Sequence, residues 1–594
     1  MTCRLIIFDF EVFKYDTLFG AIIIDENSCD IFQTWDLDEI RKFYRNNLSS
    51  IWIGHNNERY DNFILQTIIR KGTPYKTSKE IIENDTRKYL DINLNYYDLI
   101  SQHFGSLKVI ECAFGKNISE SNVDFNIDRP LTDKEKQETE SYNRDDLEQT
   151  LDDLQATKNE LLLRFDIINT FKLNLDTLHL TETQIAEKVL KAKKIDNIED
   201  MYIAPQIYKN LKLKNKDVLN FYLTEKFKTT EKLKTVICDV EHTIGAGGIH
   251  GARKNEHCDW AFYFDVNGYY NLIMILLDLL PRTIPDESKK LYEEMYEMQL
   301  KLKKINPQKR AVFKVVLLAV FGAMLNEHTK FYDPHKGQLV TIVGQIYLVD
   351  LLEKLEGKFR LIQSNTDGII AKPLSGINEN DAIEIINEWM NRTGFKLKLE
   401  KIYDIHQRDV NCYMYRKENG EIKCLGDTIK YYNSWKNPLE KDSFSAREPI
   451  IISHAIVDYF MKNKLPEEVI EENKNELRMY QYICKKNTFD WLEYEEFNLD
   501  TNEIKLTKLQ NINRAFALKS DNIKGMIYKR RFSGKLTKAK VQNLPENVFV
   551  YNNEILSKET IEKITNKIDY SYYIKRSYER ILKFVDIKKV VDIL

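Results

Sequence analysis

Two aspartates about a hundred residues apart, each at the end of an apolar run, are the residues of this chain best placed for chemistry. Phe262-Tyr263-Phe264 leads into Asp265-Val266, and Leu361-Ile362-Gln363-Ser364-Asn365-Thr366 leads into Asp367-Gly368-Ile369-Ile370. A carboxylate inside such a run needs a partner, and a divalent cation is the natural one. Asp367 lies between two strand-like runs, as at a hairpin turn. Where two strand-end carboxylates meet in space, they can hold two Mg²⁺ ions about 4 Å apart, the arrangement that serves in-line phosphoryl transfer. A second acidic set lies near the start. Asp9 and Glu11 are two apart in a β-prone run, so both carboxylates share one face, with Phe8 and Phe10 on the other. Like charges side by side repel unless a cation sits between them. Taken alone, the Asp-x-Glu pair also suits an exposed strand edge, and the acids further along weigh against that.

Those acids need elements to bring them together. Residues 51–65 read as a strand, a polar turn containing Gly54, His55 and Asn56, and a helix with Asp61 near its first turn. Residues 134–155 form a charged amphipathic helix in which Tyr142 and Asp146, four apart, share a face. The densest glycine cluster, His242 to Arg253, includes Gly247 and Gly248, whose backbone could approach a ligand closely. A tight hairpin turn is the alternative reading, and no Lys-Ser/Thr follows in P-loop spacing. His250, within it, is expected in a structural or DNA-contacting role. Residues 286–325 read as a helical hairpin turning at Asn306-Pro307, with a basic tip formed by Lys301, Lys303, Lys304, Lys309, Arg310 and Lys314. Arg310, Lys314 and Phe321 fall on one side of the second helix. Cations that reach a triphosphate beside an aromatic that stacks on a base are what nucleotide selection requires. Residues 155–235 carry no chemical cluster.

At 594 residues the chain exceeds one core, and a prior of roughly 150 residues per domain suggests about four. The 43% hydrophobic and 30% charged content fits a folded protein and excludes disorder and collagen-like order. No apolar run is long enough for a membrane span, and the opening residues make a poor signal peptide. Eight scattered cysteines without Cys-x-x-Cys argue against structural zinc and a disulfide framework, and for a cytoplasmic setting. The net charge of −3 conceals an asymmetry. Residues 1–150 carry 27 Asp/Glu against 18 Lys/Arg (−9), and residues 501–594 carry 20 Lys/Arg against 10 Asp/Glu (+10). Such a chain can collect metal ions at one end and grip phosphate at the other. Residues 505–540, where Lys529-Arg530-Arg531-Phe532 and several lysines interleave with aromatics, suit a duplex-phosphate grip.

Asp9 with Glu11, Asn56 with Asp61, and Tyr142 with Asp146 resemble the three motifs of proofreading 3′–5′ exonucleases. The resemblance implies that Asp9, Glu11, Asp61 and Asp146 bind two metals, that Tyr142 orients the attacking water, and that Asn56 holds the frayed strand. Ser106-Leu107-Lys108 resembles a motif that grips single-stranded DNA in some family B DNA polymerases, and the later motifs resemble the same family. The Asp265 segment is similar to motif A, which implies Asp265 and Val266 as metal ligands and Tyr270 as the residue excluding a 2′-hydroxyl, with Tyr269 as a rival. Lys314 to Phe321-Gly322 matches motif B, with Leu318-Ala319 in place of Asn-Ser; Lys303 and Arg310 then share the phosphate role. Asn365-Thr366-Asp367-Gly368 resembles motif C, with an amide for its first carboxylate. The primer-gripping Lys-x-Tyr falls either at Lys401/Tyr403 or at Tyr413 followed by Lys423. Gly247 and Gly248 resemble a template-contacting segment.

The resemblance covers residues 9 to about 425 and implies an α/β multidomain fold: an RNase H-like exonuclease domain followed by a right-hand polymerase. The expected divisions are the exonuclease domain at 1–160, a linking segment at 161–240, palm at 241–285, fingers at 286–325, palm again at 326–430, and a basic thumb at 431–594. It implies a compact, phage-like family B DNA polymerase that adds dNTPs to a primer 3′ end with two Mg²⁺ per active site (Mn²⁺ substituting) and proofreads. The expected partners are primer–template DNA, dNTPs, a single-strand-binding protein and a helicase. The chain is expected to act as a monomer in the cytoplasm, that of a bacterial host if viral. With the first motif at residue 9, the extra N-terminal domain of larger members is expected to be missing. The spacings of 49 residues from Asp265 to Lys314 and 45 from Gly322 to Asp367 are short for the insertions of protein-primed enzymes, so priming from an ordinary 3′ end is expected. Two rivals stand beside this reading: an exonuclease whose degenerate polymerase half only binds DNA, and a non-enzymatic nucleic-acid-binding scaffold.

Overall fold

The computed structural model describes residues 4–585 except 27, 88, 101–104, 196–210, 212, 224–230, 267, 434–447 and 534. Parts of the segments expected to link (161–240) and to form the thumb (431–594) therefore lie outside the described residues. The chain is mixed α/β, with several sheets, and divides into two compact units. One combines Met1–His179 with Tyr431–Ala455 and Lys464–Ser577; the other combines Leu180–Lys430 with Ile456–Asn463 and Tyr578–Leu594.

The first unit begins with β1 (Leu5–Val12), β2 (Thr17–Ile24), β3 (Cys29–Thr34), α1 (Leu37–Asn46), β4 (Ile51–Gly54), α2 (Asp61–Ile69), α3 (Pro74–Asn84), β5 (Asn95–Asp98), α4 (Leu107–Phe114) and α5 (Asp133–Phe171). Its sheet order is β3-β2-β1-β4-β5, with β1 antiparallel to β2 and parallel to β4. Alternation along β1 divides the core. Phe8, Phe10 and Val12 join Trp52, Phe19 and Tyr44 on one face, while Ile7 packs with Ile22, Ile53 and Leu147 on the other. On that second face Asp9 and Glu11 succeed Ile7, under α5. The helix is capped at its start by Thr132 and Glu135, each side chain bonded to the other residue's backbone. It runs 39 residues, through the division drawn at 160 from sequence.

The second unit carries α6 (Glu182–Val189), α7 (Lys216–Leu223), β6 (Leu233–Ile237), β7 (Val240–Gly245), β8 (Gly248–Ala252), β9 (Glu256–Val266), α8 (Tyr269–Leu276), α9 (Asp286–Leu302), α10 (Pro307–Ala323), α11 (Pro334–Leu355), β10 (Phe359–Asn365), β11 (Gly368–Pro373), α12 (Glu379–Thr393), β12 (Leu397–Asp409), β13 (Cys412–Lys417) and β14 (Ile422–Leu425). Its nine strands follow the order β14-β13-β12-β9-β11-β10-β8-β7-β6. The helix α11 is buried along nearly its whole length. A helix apolar all round belongs inside a core. The expected helical hairpin is present as α9 and α10, and Asn306 caps α10 by accepting from the Lys309 N–H at 2.9 Å, with Pro307 in its first turn.

The C-terminal strands return to the first unit as a three-stranded sheet, β15 (Tyr482–Lys485), β18 (Ile512–Ala517) and β21 (Val548–Val550), and a four-stranded one. The latter joins β16 (Trp491–Asn498), β17 (Ile504–Leu509), β19 (Ile523–Phe532) and β20 (Leu536–Lys540) in the order β17-β16-β19-β20. Leu492 and Ile527 are buried on one face of that sheet, while Lys538 lies over Tyr528 and salt-bridges Glu495 on the other. The basic run of residues 505–540 is thus partly neutralised by the glutamates of β16. Among the described residues no helix is long and apolar enough to cross a membrane.

Candidate active sites

In the first unit, Asp9, Glu11 and Asp146 each present an oxygen within 4.8 Å of the other two. Strand β1 supplies the first pair, and α5 brings Asp146 over them. Asp61, first residue of α2, stands beside this trio: its Oδ1 accepts from the Phe10 N–H at 3.2 Å, and its charge is felt by Glu11. Burial and the neighbouring Asp146 charge push Asp9 up to about 7. Burial, with Asp9 next, holds Glu11 and Asp61 well above the usual carboxylate range. Three crowded hard-oxygen donors whose charges oppose one another suit a divalent cation. The Tyr142 hydroxyl lies close to the Asp146 carboxylate one turn on, as the spacing predicts.

Three further residues build this site, and sequence reasoning missed their roles. Asn143 Nδ2 donates to Asp9 Oδ2 at 2.8 Å. The contact depends on Gly20, which pairs with Asp9 across β1–β2, because a Cβ at Gly20 would collide with the Asn143 amide. The available signal was a polar residue in the buried stripe Thr139, Asn143, Leu147. Lys108, expected only as part of a DNA-gripping motif, bridges Asp146 Oδ1 (2.5 Å) and Glu111 Oε1 (2.9 Å), with its ammonium over the Tyr142 ring at 4.8 Å. Glu111 is almost fully buried, and burial pushes it up to about 7 despite Lys108. Ser106 and Leu107 begin α4, Ser106 exposed at its N-cap. Asn56 sits in the turn after β4 with φ 69°, its N–H donating to Asp98 Oδ1 at 2.8 Å. A cavity of about 310 Å³ lies against Glu11, walled by Phe10, Tyr60, Tyr75, Ile82 and Phe125.

In the second unit the two aspartates meet. Strand β11 pairs with β9 so that Gly368 faces Asp265, and the Val266 N–H donates to the Asp367 carbonyl at 3.2 Å. Burial, then the Asp265 charge, pushes Asp367 up to about 6. Asp265 is raised by burial and Glu400, and lowered by Lys303 and Lys398. The charge of Lys303, at the end of α9, is therefore felt at this carboxylate. Tyr269 is buried and its hydroxyl donates to the Gly344 carbonyl, whereas the half-buried Tyr270 stacks on Phe321 with ring centroids 4.2 Å apart. Arg310 Nε donates to Gln299 Oε1 at 3.2 Å, joining α10 to α9. Lys314, Leu318 and Gly322 form an exposed line along α10, with open space at Gly322. Tyr413 is buried on β13, with Gln363 close to its hydroxyl. Lys401 is exposed, with its ammonium 4.6 Å from the Trp260 ring centre.

The glycine cluster is the β7–β8 hairpin, with Gly247 and Gly248 at its tip and open space around Gly247. Gly251 leaves room for a close approach: a Cβ there would strike the His242 ring. That ring crosses Gly251 to reach Ser364 Oγ at 2.8 Å, and burial pulls it down to about 4.

No protein-family model matches the chain, and no curated protein matches it. Among solved structures it is similar to the family B DNA polymerase from the hyperthermophilic archaeon Pyrobaculum calidifontis, at 12% identity and a TM-score of 0.42, covering 99% of this chain and 78% of that one.

Proposed function

We propose that the chain is a template-directed DNA polymerase whose synthetic centre is the Asp265/Asp367 pair, with a 3′–5′ proofreading exonuclease centred on Asp9, Glu11, Asp61 and Asp146. The observation that carries the reading is the pairing of β9 with β11, in which Gly368 lies opposite Asp265 and so brings Asp367, in the turn just before it, beside a carboxylate from a distant part of the sequence. The strand order of the first unit, with its acids on the central strand, supports an RNase H-like exonuclease, and the nine-stranded sheet with α9 and α10 supports palm and fingers.

The donor sets fit divalent cations: oxygen ligands only, and carboxylates whose affinity for protons is raised by burial and by one another. Asp265, Asp367 and the Val266 carbonyl would hold Mg²⁺ at one site, and Asp9, Glu11, Asp61 and Asp146 at the other. Bound there, the ions would neutralise phosphate charge and favour attack by an oxygen nucleophile at neutral pH. The protein's own groups do the rest. Lys303, Arg310 and Lys314 take the triphosphate of a dNTP, and Tyr270 stacked on Phe321 forms the wall against which its sugar packs. Tyr142 and Lys108 hold Asp146 in place, and Asn143 holds Asp9. The 3′ end of a primer supplies the attacking oxygen in synthesis, and mispaired ends, which fray more readily, are shortened at the other site.

Primer extension on an end-labelled primer–template with Mg²⁺, with and without dNTPs, tests both halves. Elongation with dNTPs and 3′ shortening without them is the expected result, and Asp265→Ala removes only elongation. Shortening under both conditions would give way to a nuclease whose second unit only binds DNA.

A further inference from the structure

The hairpin turn that presents Asp367 is held from the side by residues with no catalytic assignment. Thr366 occupies the left-handed region at φ 56°, a costly conformation for a β-branched residue. Its N–H donates to the Ile249 carbonyl at 3.2 Å, and its hydroxyl donates to Asn365 Oδ1 at 3.2 Å. The same oxygen lies 2.9 Å from His250 Nδ1, directly across the β8–β10 ladder. Asn365 Nδ2 donates to the Val410 carbonyl at 3.4 Å, which orients the amide and makes Oδ1 the acceptor for both neighbours. His250 Nδ1 therefore carries the proton. One residue back, Ser364 is bonded to His242 across Gly251, so consecutive residues of β10 are laced to the β7–β8 hairpin on both faces.

This network needs an amide at 365. A carboxylate could accept from His250 and Thr366, but it could not donate to Val410. We propose that Asn365 is a bracket keyed by His250, and that His250 is a positioning residue for synthesis: through Asn365 and Thr366 it holds the turn that sets Asp367 beside Asp265. The proposal rests on the polymerase reading. It also explains the departure of Asn365 from the acidic residue that the motif resemblance implies, since a side chain used for its donor and acceptor together cannot be replaced by a pure acceptor.

The test compares His250→Ala, His250→Asn and Asn365→Asp in the full-length chain. In His250→Asn the side-chain Nδ2 replaces the ring Nδ1 as donor. His250→Ala is expected to lower kcat for extension about 10- to 100-fold, the usual cost of removing a partner behind a metal ligand. The KM for dNTP should change little, the 3′ shortening activity should be unchanged, and His250→Asn should recover most of the loss. Asn365→Asp is expected to slow extension. Extension at the wild-type rate in His250→Ala, or faster in Asn365→Asp, overturns the proposal; the second result would make Asn365 a degraded metal ligand. Hydrogen exchange of metal-free protein gives an independent readout. The segment 361–369 should exchange faster in His250→Ala than in wild type and His250→Asn, and equal exchange in all three overturns the bracket. A wild-type chain that extends no primer sinks the polymerase reading on its own, and the exchange comparison still decides the bracket.

Discussion

At the scale of single residues, the first unit handles crowded negative charge with a lysine. Lys108 is largely buried between Asp146 and Glu111, so its ammonium offsets two carboxylates that would otherwise repel. Removing one partner of a buried pair leaves the other uncompensated. Lys108→Ala is therefore expected to destabilise the protein by about 3–5 kcal/mol in denaturant unfolding, and to abolish 3′ shortening while extension persists. Lys108→Met, which keeps the volume and removes the charge, should lose shortening to the same degree. Shortening at the wild-type rate in Lys108→Met would show that the ammonium has no part in the site. The motif resemblance assigned this lysine to strand binding; its ion pairs depend on α4 and α5 meeting, which no spacing in the sequence records.

At the scale of elements, the helix carrying Lys108 is held by an arginine four hundred residues later. Arg514 on β18 is fully buried. Its guanidinium donates to the carbonyls of Cys112 (3.2 Å), Lys116 (2.9 Å) and Asn553 (2.8 Å), and to Gln481 Oε1 (2.8 Å). The backbone joins the same parts, Ile118 N–H donating to the Asn552 carbonyl and Ile555 N–H to the Gly115 carbonyl, each at 2.8 Å. Planar, five-donor geometry suits arginine to gathering several carbonyls at once. Arg514→Ala strands those acceptors in the core and should cost about 3 kcal/mol in denaturant unfolding. Because α4 leads from this anchor to Lys108, which pairs with Asp146, the rate of 3′ shortening should fall by more than the rate of extension. Equal losses in both activities would argue against that linkage. Nothing in the run Ile512–Ala517 distinguishes this arginine from the surface cations of the strands nearby, so its role was not legible in the sequence.

For the whole molecule, two acidic centres in two compact units make the chain sensitive to pH when metal is absent. Asp9 is raised from 3.8 to about 7, burial first and Asp146 second. A carboxyl that holds its proton more tightly in the folded state stabilises that state when protonated. Its contribution is full below about 4 and is lost as pH rises through about 7. The metal-free protein is therefore expected to melt at lower temperature at pH 7.5 than at pH 5.5. Asp9→Asn should flatten the dependence, and Mg²⁺ should restore stability at the higher pH. An EDTA-treated sample whose melting temperature rises over that interval would contradict this account.

The sequence by itself determined which residue types stand at strand ends and on helix faces. Asp9 with Glu11, Tyr142 with Asp146, the hairpin at Asp367 and the turn at Asn306-Pro307 were readable because each depends on local periods of two or 3.6 residues and on turn chemistry. Only the tertiary structure decided what those residues meet. The pairing of Gly368 with Asp265, the reach of His242 across Gly251, the Lys108 bridge and the Arg514 anchor all join positions far apart in the chain. Such contacts follow from strand order and close packing, which a local pattern does not encode. The same physics separates Tyr269, whose hydroxyl is spent on the Gly344 carbonyl, from Tyr270, whose ring lies against Phe321. Neighbours in sequence on one helix, they differ because successive side chains of a helix point about 100° apart, one into the core and one along its edge.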